Sequence, residues 1–357
     1  MKRLALLALA IGCGGSEADV CTIDGKMCSR LSSWQLFDDI ATQTPAPGVL
    51  PYDLTTPLFS DYTVKDRFVR LPEGATATWS ADDPLGLPLG SVLVKTFSYL
   101  EDRRDPAQGK RLLETRVLVH GETGWHGSSY IYGNDTDDAK LAIAGGIVDA
   151  EWIHDDGAER TNAYVVPNQN QCKLCHAEHD DIVTPVGPKV RHLVADGVQS
   201  MIDSGALLDA PPRDQWPRAV DAFDTASGTL DERARAWLDI NCGFCHNARG
   251  AARTSGLYLD SAETDPAKLG VCKAPVATGR GSGGLQYDIV PGLPEQSILI
   301  YRMISTEPEI RMPELGRNLV HDEGLALMRE WIAAMPGGCA NGGGAGHGER
   351  TSQRMTR

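Results

Sequence analysis

Nowhere in the chain do Lys and Arg form a block that could follow a phosphate backbone, and the formal net charge is −14, so nucleic acid is a poor partner. The apolar run near the N-terminus, Leu4 to Ile11, falls well short of the roughly 20 residues that a membrane-spanning helix needs. Strand and helix signals do not alternate as a parallel βαβ sheet requires. The glycine-rich "GRGSGG" (Gly279 to Gly284) has dinucleotide-fingerprint spacing but neither strand before it nor helix after it, which leaves it a loop. The acidic "GNDTDDA" lacks the periodicity of a calcium loop and reads as a solvated hairpin turn.

The N-terminus is informative. Lys2 and Arg3 precede the apolar run, which ends in "AIGC" and is followed by the small, polar "GGSEADV". A short apolar core behind a basic start is an export signal. Its ending resembles the bacterial lipoprotein signal, with Cys13 as the lipidated first mature residue and the polar stretch as its tether. The alternative is cleavage near Ser16 to Ala18 and a free periplasmic protein.

Of nine cysteines, four fall into two copies of Cys-x-x-Cys-His: Cys172, Cys175 and His176 in "QCKLCH", and Cys242, Cys245 and His246 in "NCGFCH". This spacing is the attachment sequence of c-type haem, because two thiols so placed reach the two vinyl groups of one porphyrin edge and leave the following imidazole beneath the iron. The expected cofactors are therefore two covalently attached haem c, with His176 and His246 as proximal ligands. Four-thiolate zinc is the rival. It is opposed by the distance between the pairs in the chain, by the His beside each, and by an exported location where free thiolates oxidise. The remaining Cys21, Cys28, Cys272 and Cys339 are expected to pair first with second and third with fourth as disulfides.

Distal ligands are sought among thioethers and imidazoles. For the second haem the expectation is Met312, followed by Pro in "RMPELGR" between the motif and the last helix. For the first the leading candidates are His192 in "GPKVRHL" and Met201, with His179, His126 and His154 also open. A five-coordinate first iron would bind small ligands or react with peroxide. Arg280 is a candidate partner for a haem propionate.

Two regimes organise the chain. "GSVLVKTFSYL", "RLLETRVLVHG", "SSYIYG" and "NAYVVP" are β-branched and aromatic runs between turn clusters, and predict an antiparallel β-sandwich-like domain over 45–166. After Pro167 helical periodicity takes over. "TLDERARAWLDIN", with Thr229 as N-cap, and "HDEGLALMREWIAAM" place Leu230, Ala234, Trp237 and Leu238, and then Leu325, Met328, Trp331 and Ile332, on single faces. The expected fold class is multidomain α+β, with all-α cytochrome c-like haem units following the β-sandwich-like domain. The divisions are a signal peptide over 1–12, an anchor tether and linker over 13–44, the β domain over 45–166, a truncated first haem unit over 167–228, a cytochrome c-like domain over 229–339 and a disordered tail over 340–357.

At these residues the chain resembles a family of exported bacterial di-haem c-type cytochromes with a β-rich N-terminal region. The matching stretches are "PLFSDYTVKDRFVRLPEG", "VPNQNQCKLCH", "TPVGPKVRHL", "NCGFCHNARG", "GRGSGGLQYDIVPGLPEQSILIYRM" and "RMPELGR". The resemblance implies single-electron transfer between periplasmic or outer-membrane redox partners, and supports Cys172, Cys175, His176, Cys242, Cys245, His246 and Met312 as site residues. The competing expectation is an enzyme, a di-haem peroxidase or small-molecule dehydrogenase, with the first haem as reactive centre. A binding module, in which the β domain docks a partner, is a third.

Overall fold

The computed structural model describes residues 21, 27–133, 137–176, 182–276 and 278–339. Its largest element is a six-stranded antiparallel sheet whose strands neighbour one another in chain order. They are β1 (Val49–Pro51), β2 (Val64–Arg70), β3 (Val92–Leu100), β4 (Lys110–Gly121), β5 (Gly124–Tyr132) and β6 (Ala139–Leu141). A separate hairpin pairs β7 (Gly146–Ile153) with β8 (Glu159–Val166). The β-branched and aromatic runs form strands because their side chains alternate between two buried faces.

On one face Phe68, Val92, Val94, Val117 and Tyr130 pack against Leu31, Trp34 and Leu36 of the N-terminal segment. The Trp34 indole donates to the Tyr130 hydroxyl at 2.7 Å, which in turn donates to the Cys28 carbonyl at 2.9 Å. Both polar tips of this apolar layer are therefore satisfied. On the opposite face the cover is divided. Phe97, Tyr99 and Leu113 meet Trp152, Tyr164 and Val166 of the β7–β8 hairpin. Val69 and Leu93 meet Val190, Leu193, Val198 and Met201 of the segment beyond the first cysteine motif. That segment is tied to the β region through a short parallel pairing of Leu207–Leu208 with Ala77–Thr78.

Five α-helices occur among the described residues: α1 (Cys172–His176), α2 (Ala195–Asp203), α3 (Leu230–Leu238), α4 (Ile298–Ile304) and α5 (Asp322–Ala334). Thr229 caps α3 as predicted, accepting from the Glu232 amide at 3.2 Å while its own amide donates to the Glu232 carboxylate at 2.8 Å. Trp237 and Leu238 of α3, Ile300 of α4, and Met328, Trp331 and Ile332 of α5 share one apolar core.

The predicted fold class is corrected. The second face of the sheet is closed by a hairpin and by the segment that carries α2, so the β region is no sandwich of two like sheets. The C-terminal half is not all-α either. Its helices are short, the longest being the 13 residues of α5, and between α3 and α4 the described chain runs through turns and 3-10 segments. Pro266, Pro275, Pro291 and Pro294, with Gly250, Gly256 and Gly270, interrupt that stretch wherever a helix would have to propagate. Two amphipathic helices are real; the helical units around them are not.

Two disulfides form as expected, Cys21–Cys28 and Cys272–Cys339. They mark an oxidising, exported environment. No helix among the described residues is long and apolar enough to cross a membrane. Cys13, the expected lipid site, and the tail over 340–357 lie outside the described residues.

Candidate functional site

The two cysteine motifs, far apart in sequence, converge. The first follows directly from β8: Asn168 caps the turn over Gln169–Gln171, with its side chain accepting from the Gln171 amide at 2.9 Å, and α1 then carries Cys172, Cys175 and His176. The second sits where α3 loosens into a π-helical turn over Asp239–Gly243, a local irregularity that is frequent at functional sites. The Cys245 thiol lies 3.6 Å from the Leu174 carbonyl and shares a hydrogen bond with the Cys175 sulfur. That contact lowers the pKa of Cys175 and raises that of Cys245, while burial pushes Cys242 up to about 12.

Each imidazole is held the same way. His176 Nδ1 lies 3.0 Å from the Thr184 carbonyl, and His246 Nδ1 lies 3.2 Å from the Leu257 carbonyl. A carbonyl only accepts, so Nδ1 carries the hydrogen and Nε2 keeps its lone pair. Burial pushes both rings down to about 4, which leaves them neutral at pH 7. Two neutral imidazoles with Nε2 free for a ligand therefore stand beside four unlinked thiols.

Next to α1 is a cavity of about 230 Å³. Cys172, Cys175 and His176 form part of its wall, and Phe59, Phe244 and Leu315 enclose it from the chain on either side. His192 also reaches this wall, but its Nε2 lies 2.6 Å from Asp239 Oδ2. The same carboxylate accepts from Arg191 at 2.7 Å. Burial alone would raise the pKa of Asp239; the hydrogen bonds of His192 and Arg191 outweigh it and hold the carboxyl well below the usual carboxylate range. Asp239 thus ties the chain after the first motif to the residues just before the second. Sequence reasoning missed it, although a lone acid between Leu238 and Ile240, three residues before Cys242, was a visible signal.

The other predicted ligands are dispersed. Met312 is half-buried on the loop between α4 and α5, its amide donating to the Arg302 carbonyl at 3.0 Å and its carbonyl accepting from Arg317 at 2.9 Å. Met201 is buried in the apolar cluster beneath α2. His126 meets the Thr123 hydroxyl at 2.9 Å, His154 accepts from the Trp152 indole at 3.3 Å, and His179 lies outside the described residues. Arg280 is 70% exposed and pairs with Glu307 and Glu309, which removes the expected propionate contact.

The expectation of two covalently attached haem c is likewise corrected. It required two helical units, each presenting its own cysteine pair and imidazole to its own space. The helices are instead short and few, the cysteine cross-links are Cys21–Cys28 and Cys272–Cys339, and Cys175 of one motif is turned onto Cys245 of the other. Zinc fares no better: among the described residues the only convergent metal-ligating group of three is His154, Asp155 and Glu323, so no three motif donors gather around one point. Comparison with protein-family models, with curated proteins and with solved structures finds no match.

Proposed function

We propose that this chain is an exported electron-transfer protein that passes single electrons between periplasmic or outer-membrane redox partners, with the paired Cys-x-x-Cys-His segments as its redox locus. The observation that carries the reading is the convergence of two identical motifs, the Cys245 thiol of one lying 3.6 Å from the Leu174 carbonyl of the other, each with a neutral imidazole whose Nδ1 is pinned by a backbone carbonyl. Holding Nδ1 on a carbonyl fixes both the tautomer and the orientation of each ring beside the cysteines. Lipidation at Cys13 would hold the protein at a membrane surface near its partners.

A second reading has its own support. The hydrogen bond between the Cys175 and Cys245 sulfurs places two thiols where a disulfide exchange reaction needs them, and that chemistry moves two electrons. Potentiometric titration of the exported protein separates the two. A one-electron couple changes tenfold per ~59 mV and a two-electron couple per ~30 mV. The proposal expects the first slope, with the potential displaced in His176→Ala and His246→Ala and retained when Cys175 and Cys245 are blocked after folding. The second slope, abolished by Cys175→Ser, would replace single-electron transfer by thiol–disulfide exchange.

A further inference from the structure

The sheet face that looks toward α1 carries an anomaly. Along β3, Leu93 enters one apolar cluster and Phe97 the other, and the residue between them is Lys95. Its direct neighbours across the sheet are Arg67 on β2 and Arg116 on β4, and Ser129 on β5 follows Arg116 in the same row. Three cations thus stand side by side on a mostly covered face, although like charges directly opposite one another destabilise a sheet. In a chain with 48 acidic and 34 basic side chains, counter-charges were available.

Little compensation is present. Arg116 pairs with the buried Glu114, which also accepts from the Tyr164 hydroxyl at 2.7 Å. The Arg67 side chain is 5% exposed and reaches Asp53 only at 3.4 Å, while its Nη2 has no hydrogen-bond partner. Lys95 makes no hydrogen bond or ion pair among those observed and has its ammonium 4.9 Å from the Phe97 ring centre. The Ser129 hydroxyl is also buried without a partner. Arg67, Lys95, Arg116 and Ser129 all line the cavity beside α1. Desolvation, then Arg67 and Arg116, push the Lys95 ammonium well below its ordinary value, the penalty expected of a cation whose counter-ion is missing.

We infer that this cavity binds an organic acid, an apolar molecule bearing at least one carboxylate, with the carboxylate on the Arg67–Lys95–Arg116 row and the apolar body against Phe59, Phe244 and Leu315. A carboxylate there accepts from Lys95 Nζ, lies beside the Arg67 and Arg116 guanidinium groups that line the same wall, and supplies the charge that Glu114 cannot. The apolar wall accounts for the rest of the ligand, since an inorganic anion would leave it facing an unfilled space. The cavity shares Cys172, Cys175 and His176 with the proposed redox locus, but the inference does not depend on electron transfer.

Octanoate and octan-1-ol, alike in apolar body and different in charge, are the probes. Calorimetric titration of the full-length exported protein at pH 7 is expected to give octanoate at least a tenfold tighter Kd. Lys95→Met, which removes an unpaired, half-buried cation without emptying its place, is expected to fold with unchanged or raised Tm and to reduce that preference to less than threefold; Lys95→Arg is expected to keep it. Equal affinity for the two probes, no binding of either, or an undiminished octanoate preference in well-folded Lys95→Met would each overturn the inference.

Discussion

The two Cys-x-x-Cys-His segments share a local code and differ in everything that supports it. The first is a five-residue helix hung from the end of a strand, with Lys173 and Leu174 exposed between its cysteines. The second continues a nine-residue helix whose other face is buried in the C-terminal core, and the residue matching Lys173 is the buried Gly243. One is a margin of a cavity and the other is built into a core. Yet both fix their imidazole by the same device, a backbone carbonyl eight residues downstream for His176 and eleven for His246. The shared device fixes the tautomer and orientation of each ring; the unshared support belongs to stability. Substitutions around the second motif should therefore act on folding, and those around the first should leave folding nearly untouched.

The largest effect is expected where the two motifs are joined. Asp239→Ala leaves Arg191 and His192 without their common carboxylate in a place where Asp239 is 4% and Arg191 14% exposed. Stranding one side of a buried pair costs about 3–5 kcal/mol, read as a lower midpoint in urea with unchanged slope. The same contact has a pH signature. The pKa of Asp239 is depressed in the folded state, so its contribution is complete above the unfolded carboxyl value of about 4 and is lost as pH falls toward the folded one. The urea midpoint of the native protein should drop on acidification below pH ~4, and that of Asp239→Ala should drop less.

Next in size is the Cys272–Cys339 bond, which closes 67 residues of the region around the second motif. Loop entropy assigns it about 4 kcal/mol, against about 2 kcal/mol for the seven-residue Cys21–Cys28 loop at the edge of the sheet region. Cys272→Ser with Cys339→Ser should therefore lower the urea midpoint more than Cys21→Ser with Cys28→Ser. The reverse order would mean that the C-terminal half is held chiefly by its core and not by its covalent closure.

What the sequence discloses follows the range of each interaction. Alternation along β3 and β4, the Thr229–Glu232 cap and the amphipathic faces of α3 and α5 are set by neighbours a few residues apart, and they were legible. The contact of Cys175 with Cys245 and the bond from Asp239 to His192 span the fold, and no local pattern announces them. The row of Arg67, Lys95 and Arg116 was hidden for another reason: each cation alone is an ordinary interruption of an apolar strand, and only the register brings them abreast. The all-α expectation failed because two good helices were extended into whole units across a stretch that proline and glycine keep irregular.

The smallest effects test the comparison most directly, because they exchange the character of matching positions. At Gly243 an added Cβ would lie 2.9 Å from the Asp260 Cα and 3.1 Å from an Asp239 carboxylate oxygen. The first of these neighbours is backbone and cannot swing aside. Gly243→Ala is accordingly expected to destabilise by about 1–3 kcal/mol from overpacking, even though alanine gains up to about 1 kcal/mol over glycine in a helical conformation. At Lys173 the side chain is exposed, so Lys173→Gly loses only helix propensity, at most about 1 kcal/mol. Urea unfolding of the two variants beside the native protein decides the matter. A Gly243→Ala protein as stable as the native one would show that Asp260 and the turn around Cys242 can give way, and a Lys173→Gly loss above about 2 kcal/mol would show that the first motif is anchored as firmly as the second.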